Sequence, residues 1–136
     1  MAVTLVKQYS VFLTNAPGVL KSFADLFVKE GVDILALSED VRYDAAIMRF
    51  AVTYETDISH LLTQAGFTSV KTDAICIDAP NRMGLVRDIG AVMAKVNVNI
   101  TSIYGTGSGN VSRWVLVVNN INRALDALEE SGLFEQ

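Results

Sequence analysis

The 136-residue sequence contains one cysteine, Cys76, and one histidine, His60. A single cysteine excludes an internal disulfide and a metal site made of several thiolates. His60 has no cysteine, histidine or aspartate partner at ligand spacing, so we expect no metal and no cofactor. The 11 Lys and Arg residues are scattered among 15 Asp and Glu residues, which gives a net charge of −4. The sequence therefore favours neither nucleic acid nor an anionic membrane surface as a partner.

Long apolar runs and a positively charged leader are also missing. No apolar stretch approaches eighteen residues, so we expect a soluble, cytoplasmic protein. No linker rich in proline or serine divides the chain. The hydrophobic content of 51%, with 19% charged residues, is sufficient for a folded core.

What the sequence does contain is a repeat with an offset of 66 residues. Asn15-Ala16-Pro17-Gly18 corresponds to Asn81-Arg82-Met83-Gly84, and Val32-Asp33-Ile34 corresponds to Val98-Asn99-Ile100 without a gap. A register kept over the whole chain indicates one folding unit present twice. We expect units at residues 5–72 and 73–136, packed on each other, because a unit of this size buries only about 60% of its surface.

Each repeat alternates between strand-type and helix-type patterns. Asn15 is a candidate N-cap and Pro17 suits a first helical turn. Gly31 is expected to end the first helix in the left-handed conformation, and Asn97 takes its place in repeat two. The pattern predicts strands at 6–14, 32–38, 47–54, 67–72, 75–79, 98–104 and 111–118, with four intervening or following helices at about 20–30, 58–65, 85–96 and 122–131. The fold class is thus α+β, with two ferredoxin-like βαββαβ units whose antiparallel sheets carry helices on one face.

Alternation along the third strands separates two faces of each sheet. The face predicted to contact the helices contains Met48, Phe50 and Val52 in one unit, and Trp114, Leu116 and Val118 in the other. The opposite face contains Ile47, Arg49 and Ala51, and Arg113, Val115 and Val117. These opposite faces are too apolar for full exposure, so we predict partial cover by a partner sheet or subunit.

The twofold order of strand, N-x-P-G loop, apolar helix, G-V-x-I segment, hairpin, strand and helix resembles a tandem ACT-domain protein over residues 9–133. ACT domains are small regulatory modules, many of which bind amino acids. The resemblance implies a stand-alone, non-catalytic regulatory protein that binds an amino acid, is a homodimer and has a possible partner enzyme. It also implies a ligand held between two ACT units, at the loop of one and the second strand of the other. The site residues implied are Asn15, Ala16, Pro17, Gly18, Val19, Asp33, Ile34, Asn81, Arg82, Met83, Gly84, Leu85, Asn99 and Ile100.

The chemistry of these residue types fits an amino acid. Main-chain N–H groups at a helix start suit a carboxylate, and glycine lets a ligand approach the backbone closely. Asn81 and Asn99 offer amide groups to either end of the ligand. Asp33, the counterpart of Asn99, favours an ammonium but opposes a nearby carboxylate. We therefore expect the loop of repeat two to be slightly preferred, although Met83 replaces a proline there.

Plainer interpretations of the same residues stay open. Asn15 and Asn81 are equally typical of helix caps, and Gly18 and Gly84 of tight turns without a ligand. Arg82 is twice as often a solvated loop residue as a ligand-holding one. Cys76 is expected to be a small sheet residue rather than a nucleophile, because no base lies beside it. The glycine-rich segment 105–110 is either a loose hairpin turn or a mobile lid.

Three functional hypotheses follow. The first is a non-catalytic amino-acid sensor or regulatory protein. The second is an assembly module, or a regulatory subunit of an amino-acid biosynthetic enzyme, with no small-molecule ligand of its own. The third is an enzyme like the ferredoxin-like acylphosphatases, which need an arginine-containing phosphate loop that neither repeat supplies. The absence of a basic surface also disfavours RNA binding through the sheet.

Overall fold

The computed structural model describes residues 2–133. In chain order the elements are β1 Ala2–Thr14, α1 Val19–Glu30, β2 Ala36–Arg42, β3 Ala45–Thr53, α2 Ser59–Gln64, β4 Thr68–Pro80, α3 Leu85–Lys95, β5 Ile100–Ser108, β6 Val111–Val118 and α4 Ile121–Glu130. No helix within residues 2–133 is both long enough and apolar enough to cross a membrane.

The chain divides into two compact units with the same topology. Residues 6–72 form the first unit, and residues 2–5 with 73–133 belong to the second. The strand order is β2-β3-β1-β4 in the first unit and β5-β6-β4-β1 in the second, because β1 and β4 each contribute residues to both. The paired strands are antiparallel, so each unit has the predicted βαββαβ-like, ferredoxin-like plan.

Each unit has a core between its helices and one face of its sheet. The first core contains Phe23 and Phe27 from α1 against Phe50 from β3, with ring centroids of Phe27 and Phe50 4.9 Å apart. The second core contains Ile89 from α3 against Leu116 from β6. Met48, Val52, Trp114 and Val118 also lie in or against these cores, which confirms the predicted helix-facing set.

Several predicted boundaries were wrong. Strand β1 begins at Ala2 rather than residue 6, and the predicted strands 67–72 and 75–79 are one continuous strand, β4. The second unit uses residues 2–5 where the first uses the beginning of β4, and Val3 packs against the second core. A long strand shared by two units contains no turn signal at the point where one unit passes to the next.

Strand β2 begins four residues later than predicted. Val32 and Ile34 pack against the first core, so the segment has the alternation of a strand. Pairing with β3 starts only where the N–H of Leu35 donates to the carbonyl oxygen of Ala51 at 2.8 Å. Periodicity reports which side chains are buried, and it does not report which backbone groups are paired.

The sheet faces away from the helices are partly buried within a single chain. Ala51 and Val115 are fully buried, and Cys76 is 2% exposed. Ile47, Arg49, Arg113 and Val117 are half-buried. The prediction that these faces are not fully solvated is therefore correct, whereas cover by a partner subunit stays a prediction.

The helix ends confirm the backbone argument for the repeat. Gly31 has a φ of 68° and Asn97 a φ of 57°, so both adopt the left-handed conformation. The next residues bond to matching carbonyls: Val32 N–H donates to Phe27 at 2.8 Å, and Val98 N–H donates to Met93 at 2.9 Å. This closure is the Schellman type of helix end.

We predict that Gly31→Ala destabilises the protein by about 1–2 kcal/mol, because a Cβ is unfavourable at a positive φ. Gly90→Ala is the matched control, since Gly90 lies inside α3 and an added Cβ has no neighbour within 4 Å. The control should stabilise the protein by up to about 1 kcal/mol through helix propensity. Urea unfolding followed by circular dichroism measures both, and equal effects of the two substitutions would contradict the assignment.

Candidate functional site

Both N-x-x-G loops form a type II turn that leads directly into a helix. The carbonyl oxygen of Ala16 accepts from Val19 N–H at 3.3 Å, and that of Arg82 accepts from Leu85 N–H at 3.4 Å. Gly18 has φ 84° and ψ −9°, close to the values that the third position of such a turn requires. Its counterpart Gly84 has φ 87° and ψ −2°. Each glycine is also the N-cap residue, so both glycines do lie in tight turns, whereas their contact with a ligand stays a prediction.

A glycine N-cap leaves the helix start without a side-chain acceptor. Neither α1 nor α3 has a side-chain hydrogen bond to its first turn. The first N–H groups of an α-helix have no partner within the helix, and they carry a partial positive charge. In the part of the chain that the structure describes, both loops therefore direct uncapped backbone amides toward their surroundings.

The interpretation of Asn15 and Asn81 as helix caps is wrong. Asn15 Nδ2 donates to the carbonyl oxygen of Tyr43 at 3.2 Å, and Asn81 Nδ2 donates to that of Gly109 at the same distance. The backbone N–H groups of the two asparagines bond to the next residues of the same hairpins, at 2.8 and 3.0 Å. Each asparagine thus anchors its loop to the β2–β3 or β5–β6 hairpin. Glycine takes the capping position because a positive φ is needed there.

The glycine-rich segment of repeat two is mostly strand, so the predicted turn at 105–110 was too long. Strand β5 continues to Ser108, and the hairpin turns at Gly109 and Asn110. A Cβ at Gly107 would lie 2.6 Å from Asn81 Oδ1, and a Cβ at Gly105 would overlap the Trp114 ring. These glycines make room for neighbouring side chains, a role that spacing along the sequence does not reveal.

The loop of the first unit borders an open cavity of about 480 Å³. Pro17, Gly18 and Val19 line it, and their contact with a ligand stays a prediction. Ser22 from α1 and Thr14 from β1 provide hydroxyl groups at its wall. The remaining lining residues are Phe12, Leu13, Gly66 and Phe67, so no lining residue carries a charge.

The loop of the second unit is surrounded by charged side chains. Arg82 Nη2 lies 2.7 Å from Asp88 Oδ2, and Arg87 Nη2 lies 3.3 Å from Asp88 Oδ1. Arg82 is therefore ion-paired rather than a simple solvated arginine. The hydrogen bond from Arg82 is the main reason that the pKa of Asp88 lies below its ordinary value, and Arg87 lowers it further.

The four predicted second-strand residues lie near the strand starts. Asp33 is exposed and Ile34 packs on the first core, and both precede β2. Asn99 precedes β5, and its backbone N–H and carbonyl oxygen bond to Asn119 at 3.0 and 3.1 Å. Ile100 is the first residue of β5 and packs on the second core. Asn119, which holds the Asn99 backbone, was missed by the sequence analysis.

The two remaining candidates, Cys76 and His60, lie in β4 and α2 and not in the two loops. Cys76 is buried in β4, and burial raises the pKa of its thiol, which is the opposite of what a nucleophile needs. His60 is exposed on α2. Among residues 2–133, no group of three or more His, Cys, Asp or Glu side chains is arranged to hold a metal ion.

Comparison with known proteins supports the same architecture. A family model described as an ACT domain pair matches residues 3–133. A crystal structure of a protein from Bacteroides thetaiotaomicron is similar, with 23% identity, a TM-score of 0.82, and coverage of 98% of this chain and 99% of that one. The search of curated proteins finds no match.

Two further similar structures are described as regulatory subunits of aspartate kinase. The ligand-free one from Thermus thermophilus is 14% identical, with a TM-score of 0.69 and coverage of 96% of both chains. The one from Thermus flavus is 16% identical, with a TM-score of 0.63 and coverage of 99% of this chain and 98% of that one. At such identities the likeness concerns the fold.

We predict that Asn81→Ala and Gly107→Ala each destabilise the protein by about 1 kcal/mol, because each removes the bond from Asn81 to the hairpin. The double variant should be destabilised by no more than one of the single variants, since the three nearest atoms to the added methyl group all belong to the Asn81 side-chain amide. Urea unfolding of the four proteins forms a double-mutant cycle. Additive effects would contradict the proposed contact.

We also predict that Arg82→Gln raises the pKa of Asp88 toward its ordinary value. Because the folded-state pKa is depressed, the Asp88 pairs stabilise the fold above the unfolded-state pKa, and this stabilisation is lost as the pH falls through the folded-state value. Carboxyl NMR titration between pH 7 and pH 2 measures the change. Asp57 in the same samples is the control, since its pKa is lowered chiefly by a hydrogen bond from Ser59, which the Arg82 substitution leaves in place.

Proposed function

The chain belongs to the family of ACT domain pairs, and from this premise we propose that it is a regulatory protein that binds a free amino acid and has no catalytic activity of its own. The observation that carries the proposal is the cavity of the first unit, which borders an uncapped helix start. The ligand would lie at the loop Asn15–Val19, with its carboxylate at the amides of the first turn of α1. Helix starts are favourable sites for anions because of the partial positive charge of their amides.

The surroundings of this loop suit both ends of an amino acid. An added Cβ at Gly18 would have no neighbour within 4 Å, so the backbone there is open to close approach. The hydroxyl oxygens of Thr14 and Ser22 are acceptors for an ammonium group. Further acceptors would come from the second-strand start of a paired ACT unit, at Asp33 and Ile34 or at Asn99 and Ile100.

The lining of the cavity favours a ligand with an uncharged side chain. A charged ligand side chain would lose its hydration among Leu13, Val19 and Phe67 without gaining an ionic partner. An apolar or hydroxyl-bearing side chain meets no such penalty. We therefore propose L-valine, L-leucine, L-methionine and L-threonine as the ligand class, and L-lysine and L-aspartate as poor ligands.

Regulation would follow from binding preference. A ligand that binds one arrangement of paired ACT units better than another shifts the population toward it. Two similar structures are described as regulatory subunits of aspartate kinase, so we propose an enzyme of amino-acid biosynthesis as the partner. We also propose a homodimer as the form that binds the ligand.

One observation favours the second candidate, a pure assembly module. Phe12 lies opposite Ile47 in the β1–β3 pairing, on the sheet face away from α1, and is 48% exposed. At the corresponding place in the second unit, Asp78 and Arg113 form an ion pair of 2.6 Å. The first unit thus exposes an aromatic side chain where the second has a closed polar pair, and such a side chain suits a protein contact.

The test is a thermal-shift and calorimetric titration with the six amino acids named above. A neutral ligand at 100 times its dissociation constant should stabilise the chain by about 2.7 kcal/mol. Ser22→Leu places a larger side chain at the cavity wall and should abolish the shift. Lys21→Leu is the matched control. The Lys21 side chain is adjacent to Ser22 in sequence, but it pairs with Asp25 and does not line the cavity.

The outcomes separate the two functions. Binding that is lost in Ser22→Leu and kept in Lys21→Leu supports the sensor. No shift with any of the six at millimolar concentration contradicts it. If Phe12→Asp then dissociates a dimer or releases a partner enzyme, the assembly module is the better account.

A further inference from the structure

The two loops have the same backbone but different immediate neighbours. Around Gly18 nothing lies within 4 Å of an added Cβ. Around Gly84 the same atom would meet Arg87 Nη2 at 3.2 Å, Arg87 Cζ at 3.5 Å and Arg82 Nη1 at 3.9 Å. The guanidinium groups of the second unit therefore cover the glycine that the first unit leaves open.

The difference comes from three positions of the repeat. Arg82, Arg87 and Asp88 correspond to Ala16, Lys21 and Ser22 at the offset of 66 residues. In the first unit Lys21 Nζ turns away to pair with Asp25 at 2.9 Å, and Ser22 is small and neutral. In the second unit both arginines converge on Asp88, which is the acidic residue of the first turn of α3.

Asp88 thus holds both guanidinium groups beside Gly84, where an external carboxylate would approach the start of α3. The two guanidinium groups and one carboxylate leave a net positive charge, but a ligand carboxylate would have to displace Arg82 and Arg87 from the space beside Gly84 and from their pairs with Asp88. Contrary to the slight preference for repeat two that the sequence indicated, we propose that the second loop is closed by its own side chains, so that each chain binds one amino acid, at the first unit. This inference rests on the proposed function, and it assigns to Asp88 the role of holding Arg82 and Arg87 beside the second loop.

Reciprocal exchange of the three residues tests the proposal. The variant R82A/R87K/D88S gives the second loop the neighbours of the first, and A16R/K21R/S22D does the reverse. Calorimetry with L-valine, L-leucine, L-methionine and L-threonine should give one site per native chain. The first variant should bind two per chain, and the second should lose at least tenfold in affinity. Two sites in the native chain, or unchanged binding in the second variant, would overturn the proposal.

A carboxylate probe separates this inference from the proposed function. Acetate is titrated into the ¹⁵N-labelled native chain at constant ionic strength, with chloride as the control, while the amides of Gly18 and Gly84 are followed. The proposal predicts a saturable shift at Gly18 only, and a shift at both glycines in R82A/R87K/D88S. Equal shifts at both glycines in the native chain would overturn it even if no amino acid binds. If acetate causes the predicted amide shifts but no amino acid binds, the closure of the second loop stands and the amino-acid sensor function is rejected.

Discussion

A glycine with a positive φ at each helix start is the constraint on which the candidate sites depend. Gly18 and Gly84 have the left-handed backbone that this position of a type II turn requires, whereas a capping side chain reaches the first-turn amides from an extended backbone. The helix therefore begins with amides that no side chain accepts from. Asn15 and Asn81, three residues before these glycines, do not cap the helices. Each anchors its turn to a hairpin instead. The same geometry thus fixes the loop and leaves its donors available.

The two copies of this turn illustrate how a duplicated unit diverges without a change of fold. Their glycines, helix ends and hairpin anchors agree closely, because those features maintain the backbone. The residues that surround the amides differ in charge and size. Ser22 leaves room for a cavity in one unit, while Asp88 brings two arginines onto the loop in the other. On the proposal above, only the copy with the uncovered loop binds a ligand.

Much of this architecture could be predicted from the sequence. The exchange of Gly31 for Asn97 predicted a left-handed helix end at both positions, and alternation in the third strands identified the faces that contact the helices. The start of β2 and the continuity of β4 could not be predicted, because burial can alternate without strand pairing and a shared strand contains no turn signal. The roles of Gly105 and Gly107 depend on Trp114 and Asn81, which are distant in sequence. The Arg82–Asp88 ion pair joins a loop residue to a helix residue, and neither residue's type or position in the sequence predicts that pairing.

The central claim is that the amides at the start of α1 bind the carboxylate of a neutral amino acid. Amide hydrogen exchange at Gly18, Leu20 and Lys21, measured with and without a saturating neutral amino acid, tests it most directly. The account predicts slower exchange at these first-turn amides and unchanged exchange at Gly84, Val86 and Arg87. Unchanged exchange at all six amides in the presence of bound ligand would contradict it.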